Sequence, residues 1–133
     1  MTIDVKPVNP WTWQDQFGFS QGFLVSGATK VLYCAGQASM DAEGRPVHAG
    51  DMPAQLSQAF DNLETVLQKA GLTLRNVVRL NYYVTDIAAY FQAVGSVAER
   101  LTKAGCQPPG TLLGVTALAF PELMVEIEAT AVV

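Results

Sequence analysis

Two glutamates, Glu126 and Glu128, stand two residues apart in the run Val125-Glu-Ile-Glu-Ala129, where they alternate with apolar residues. In an extended strand this spacing sends both carboxylates to one face and Val125, Ile127 and Ala129 to the other. A carboxylate held there could orient a water and take its proton, the work of a general acid or base. Read by themselves, such glutamates are more often solvated charges on a wet sheet face. They become a site if that face is buried between subunits, where a carboxylate needs a partner or a water.

Other chemistries find little support. His48 is the single histidine, so no histidine-based triad and no His/Cys metal spacing can be assembled. No nucleophile elbow and no phosphate-cradling glycine loop occurs, and the glycines stand where turns need them. We therefore expect no metal and no cofactor. Cys34 falls in an expected strand and Cys106 in an expected loop, without CxxC spacing. Cys106 follows a helix C-terminus, whose dipole disfavours a thiolate, so both read as free thiols in a reducing compartment.

Elements that could position the glutamates can be laid out along the chain. Phe17 to Val25 and Val31 to Ala35 are aromatic and β-branched runs separated by Ser26-Gly-Ala-Thr-Lys30, which predicts an antiparallel hairpin. A second turn follows at Asp41 to Pro46. Asp51 before Met52-Pro53 caps a helix on which Leu56, Phe60, Leu63 and Leu67 share one face, and Gly71 stops it. Val77 to Thr85 alternates, with Val78, Leu80, Tyr82 and Val84 on the core side and Arg79, Asn81, Tyr83 and Thr85 on the other. A second helix, capped by Asp86, runs from about Ile87 to Ala104, and Gly105 ends it. Thr111 to Ala117 and Leu123 to Val133 are the last strands. This order predicts one α+β domain spanning 1–133, a sheet with two helices on one face.

The other sheet face, carrying Arg79, Asn81, Tyr83, Glu126 and Glu128, is left open. With 50% hydrophobic and 15% charged residues, the chain is expected to share some surface with another subunit. A net charge of -4 argues against nucleic acid as partner, since phosphate binding draws on clustered cations. The first ten residues lack a basic, apolar leader, and no run is long enough to span a bilayer. No membrane association is expected, and the protein reads as cytoplasmic.

Several stretches, in order, resemble the RidA/YjgF family of enamine and imine deaminases. Gly18-Phe-Ser-Gln21 is similar to the family's Pro-Tyr-Ser-Gln, and Leu32-Tyr-Cys-Ala-Gly-Gln37 to its Leu-hydrophobic-x-Ser-Gly-Gln strand. Gln58-Ala-Phe-Asp-Asn-Leu-Glu64 resembles its Gln-x-x-x-Asn helix, and Val84-Thr-Asp86 and the closing Val125-Glu-Ile-Glu-Ala129 complete the set. The likeness runs from about Phe17 to the C-terminus. It implies a chorismate-mutase-like fold and a homotrimer with a cleft at each subunit interface. There a water oriented by a glutamate, here Glu126, hydrolyses a 2-imino or 2-enamino acid and releases ammonia. The aromatic of the first motif becomes Phe19, the strand glycine Gly36, and the loop hydroxyl Thr111.

The family's substrate-binding arginine falls on Gly110, and its tyrosine hydroxyl is missing at Phe19. A guanidinium grips a carboxylate bidentately, so its absence removes the main anchor for an acid substrate. Arg79, on the same open face, is the candidate replacement, and restoring arginine at 110 is expected to raise activity if the backbone admits a side chain. Two readings follow: a hydrolase of small imines, enamines or related carbonyl compounds, or a non-catalytic trimer binding a small metabolite or a protein. A cation facing Glu126 in the cleft favours the first, and a buried Arg79–Glu126 pair the second.

Overall fold

A computed structural model describes residues 2–133. Its nine strands and helices are β1 (Asp4–Val8), β2 (Gly22–Ser26), β3 (Val31–Tyr33), β4 (Gln37–Ala38), α1 (Met52–Lys69), β5 (Val77–Val84), α2 (Ile87–Ala104), β6 (Leu112–Gly114) and β7 (Val125–Val132). The main sheet runs β3-β7-β5-β6, with β4 also pairing β7. Neighbours are antiparallel except β5 and β6, whose parallel pairing follows from the α2 crossover between them.

Both helices begin where their caps demand. The Asp51 carboxylate accepts from the Ala54 N–H at 3.1 Å, and that of Asp86 from the Ala89 N–H at 3.0 Å. Gly105 closes α2 in the left-handed conformation at φ 69°. Leu56, Phe60, Leu63 and Leu67 of α1 join Tyr90, Val97 and Leu101 of α2 over Leu80, Val84, Val125, Ile127, Ala129 and Ala131 of the sheet. Arg100 ties the helices together, with Nη2 donating to Asp61 at 2.6 Å, Nε to Glu64 at 3.1 Å, and its guanidinium over Phe60. The α+β architecture with both helices on one face agrees with the expectation.

Three local expectations are corrected. The predicted hairpin between the first two apolar runs does not form. Trp13–Phe17 is a 3-10 turn, and β2 pairs instead with β1 in a separate two-stranded sheet, while β3 pairs β7. Lys30 and Val133 exchange backbone bonds, so long-range pairing with the C-terminus outcompetes the local turn. In β5 the register slips between Val77 and Arg79, a bulge that turns Val77 into the core and leaves Val78 half-buried. Strict alternation put Val78 inside. Finally, β6 is three residues long, shorter than the Thr111 to Ala117 expected.

Candidate functional site

The open face is built by β5 and β7 in register, with Tyr83 opposite Glu126, Asn81 opposite Glu128 and Arg79 opposite Thr130. Directly opposed residues share a face. The two glutamates therefore stand where the alternation of Val125, Ile127 and Ala129 placed them, but their surroundings differ.

Glu128 is held. Its Oε1 accepts from Tyr83 Oη at 2.8 Å and from Asn81 Nδ2 at 3.2 Å. These bonds favour the ionised form, so its pKa is lowered, by the Asn81 amide first and the Tyr83 hydroxyl next. The same contact raises the Tyr83 pKa, since the phenol donates to an anion. Asn81 also accepts through Oδ1 from the Thr111 N–H at 3.1 Å, which fixes its amide orientation and fastens the loop before β6 to this row.

Glu126 is free. Among the described residues no donor bonds its carboxylate, which leans over Gly36 in the turn between β3 and β4. A Cβ built on Gly36 would overlap the carboxylate, 2.7 Å from Cδ and 2.9 Å from Cγ. Glycine is thus what lets the side chain lie there. The backbone beneath is fastened from α1. Gln58 donates to Asn62 Oδ1, and Asn62 Nδ2 donates to the carbonyls of Ala38 and Met40, both at 2.9 Å. Ala38 is itself the β4 partner of Glu126.

At the other end of the row, Arg79 is exposed, and its Nη2 reaches Thr111 Oγ1 at 3.4 Å. It lies opposite Thr130, four residues beyond Glu126, or roughly 13 to 14 Å along the strand at about 3.4 Å per residue. No Arg79–Glu126 ion pair is present among the described residues. Gly110 lies flat on β5. Leu80 N–H donates to the Pro109 carbonyl at 3.0 Å and Tyr82 N–H to that of Thr111 at 2.8 Å. A Cβ on Gly110 would collide with the Leu80 carbonyl, 2.6 Å from its carbon. The condition set on arginine at 110, a backbone that admits a side chain, is therefore not met, because the obstacle is the Leu80 backbone.

Phe19 is half-buried and packs edge-to-face with Trp13 at 5.9 Å in the N-terminal aromatic group. Cys34 and Cys106 are free and buried, and burial pushes the Cys106 thiol up to about 11. His48 takes a left-handed φ of 63°, and its carbonyl accepts from Gln55 Nε2 at 3.1 Å, so it serves a turn. Among the described residues no group of three or more acidic, His or Cys side chains could hold a metal, and no helix is long and apolar enough to cross a membrane. Sequence reading left Asn81, Tyr83 and the Gln58–Asn62 pair out of the site. Their i, i+2 and i, i+4 spacings were visible; their partners, far along the chain, were not.

Residues 16–133 match the sequence profile of the family described as Endoribonuclease L-PSP. The chain belongs to the RidA/YjgF family. A solved member of the Rid protein family, YyfB from Yersinia pestis, is 34% identical, covers 100% of both chains and superposes with a TM-score of 0.87. A RutC family protein from Aquifex aeolicus is 29% identical over 114 residues, 86% of this chain and 87% of its own. The RutC family protein YjgH from Escherichia coli is 29% identical over 99 residues, 74% of each chain. Within this RidA/YjgF framework, the α+β fold and the Glu126–Gly36 arrangement stand on the motifs that carried the resemblance.

Proposed function

We propose that the protein hydrolyses a small imine, enamine or related carbonyl compound, with Glu126 as the group that orients water and carries its proton. The observation behind this reading is the contrast on one strand. Glu128 is consumed by Asn81 and Tyr83, whereas Glu126 keeps its lone pairs free over a glycine that makes room for them. A free carboxylate beside a fixed backbone is what proton transfer needs.

The open face then becomes one wall of an inter-subunit cleft in a homotrimer. Phe19, Gly36 and Thr111 line the substrate, Gly110 leaves the loop flat, and Arg79 supplies positive charge at the far end of the row. Water adds to the carbon of C=N as Glu126 takes its proton. Glu126 then returns that proton to nitrogen, and the carbinolamine collapses to a carbonyl with loss of ammonia.

The test is ammonia release from a panel of imines generated in place, by wild type and by Glu126→Gln. Loss of activity in a folded variant supports the reading, and unchanged turnover sinks it. That no cation pairs with Glu126 among the described residues favours a second reading, a non-catalytic trimer binding a small metabolite or a protein, which predicts no turnover by either form.

A further inference from the structure

Resting on the hydrolytic reading of Glu126, we infer that the substrate is a cationic iminium with no carboxylate on the reacting carbon, the kind formed from an amine and not from an amino acid. Three observations converge on this class. Gly110 cannot carry a side chain toward the site, because the Leu80 carbonyl occupies the space a Cβ would need. Arg79, the cation on the face, lies opposite Thr130 and contacts Thr111, roughly 13 to 14 Å of strand from the level of Glu126. A 2-imino acid carries its carboxylate one bond from the carbon that water attacks. Arg79 is engaged with Thr111 and forms no ion pair with Glu126 among the described residues, so a carboxylate on that carbon has no bonded cation at the level of Glu126 in this chain.

The carboxylates beside the reacting position are negative, and Arg79 bears on Glu128 from the Thr111 side. Glu126 is unpaired, and Glu128, two residues along the same face, is kept ionised by its two donors. An α-carboxylate entering here meets two carboxylates, with the Arg79 guanidinium turned to Thr111, whereas a protonated C=NH2+ group meets the charge it needs. The iminium is also the reactive form, since its carbon accepts water without a separate proton donor.

The chemistry balances. Water oxygen bonds to carbon, the C=N π pair moves to nitrogen, and Glu126 takes one water proton, giving a neutral carbinolamine. Glu126 returns the proton to nitrogen, then takes the hydroxyl proton as the C–N bond breaks. A carbonyl compound and ammonia leave, the latter carrying the last proton away as ammonium. Oxidation of an amine must supply such a substrate, and a carbonyl-oxidising or carbonyl-reducing step would consume the product.

Two pairs of compounds test this, the first differing by a carboxylate and the second by the sign of charge. The first compares 2-iminopropane, generated from isopropylamine, with 2-iminopropanoate, generated from alanine, each followed by ammonia release and by escape from semicarbazide trapping. The expected result is an acceleration at least about tenfold larger for 2-iminopropane, lost in Glu126→Gln. A preference for 2-iminopropanoate overturns the inference while leaving hydrolysis by Glu126 intact, as would follow if a neighbouring subunit brought an arginine or lysine to the site. The second pair is a binding measurement of acetamidinium against acetate by calorimetry. Acetamidinium should bind at least about tenfold more tightly and lose that advantage in Glu126→Gln. If neither imine is turned over yet acetamidinium is preferred, the hydrolytic reading fails and the charge preference of the site stands. Preference for acetate, or none, overturns the inference in either case.

Discussion

Gly36 and Gly110 look alike in sequence, and the difference between them lies in what a methyl group would meet. At Gly36 it meets the carboxylate and Cγ of Glu126, the far end of a flexible side chain. Gly36→Ala should cost less than about 1 kcal/mol of stability yet displace the carboxylate and abolish imine hydrolysis. Urea unfolding beside an ammonia assay checks both halves. At Gly110 the methyl meets the backbone of Leu80, which cannot turn away. Gly110→Ala should destabilise by about 1 to 3 kcal/mol, as overpacking does, and Gly110→Arg should not improve turnover of 2-iminopropanoate. Glu128 has a pKa lowered on folding, so the folded state holds fewer protons there than the unfolded chain. Its contribution is present above the ordinary carboxylate value of 4.5 and is lost as pH falls through the lower folded value. Melting curves from pH 3 to 6 should show that Glu128→Gln flattens this acid-side fall.

The strand that carries Glu126 is only as well placed as the elements behind it. Asn62 on α1 satisfies two carbonyls, of Ala38 and Met40, at a point where β4 is two residues long and pairs β7 beside Glu126. Asn62→Ala leaves both carbonyls short of a donor and should cost about 1 to 3 kcal/mol, with a fall in turnover larger than the loss of folded protein explains. Chemical denaturation and a kcat measured well below the midpoint separate the two effects. Gln55, also on α1, has the same office just before β7 begins. It donates to the Glu122 carbonyl at 2.7 Å and accepts from the Met124 N–H at 2.8 Å, fixing the entry to the strand. The Gln58–Asn62 motif, part of the family resemblance, thus acquires a physical role that spacing alone did not disclose.

Over the whole molecule, the helices cover one sheet face and leave the other to Arg79, Asn81, Tyr83, Glu126 and Glu128. Trp11, Trp13, Phe17, Leu24 and Tyr33 are more than half exposed in the single chain. That much aromatic surface on a chain of 15% charged residues is expected to be covered by further copies. Light scattering at micromolar concentration should give a mass near three times the 14.3 kDa of one chain. A monomer mass would remove the cleft on which the proposed chemistry depends.

The sequence by itself determined the helices, from caps and 3.6-residue periodicity, and the two-faced character of β7, from strict alternation in Val-Glu-Ile-Glu-Ala. Both are local signals, carried by residues within a few positions of one another. It also carried the family, through motifs spread along the chain. Tertiary structure alone decided which strand β2 pairs, where β5 bulges, and which of two neighbouring glutamates stays free. Those outcomes turn on partners tens of residues away: Val133 for Lys30, Asn81 and Tyr83 for Glu128, and the Leu80 carbonyl for Gly110. A periodicity reports the face a side chain takes, and only the assembled sheet reports what it meets there.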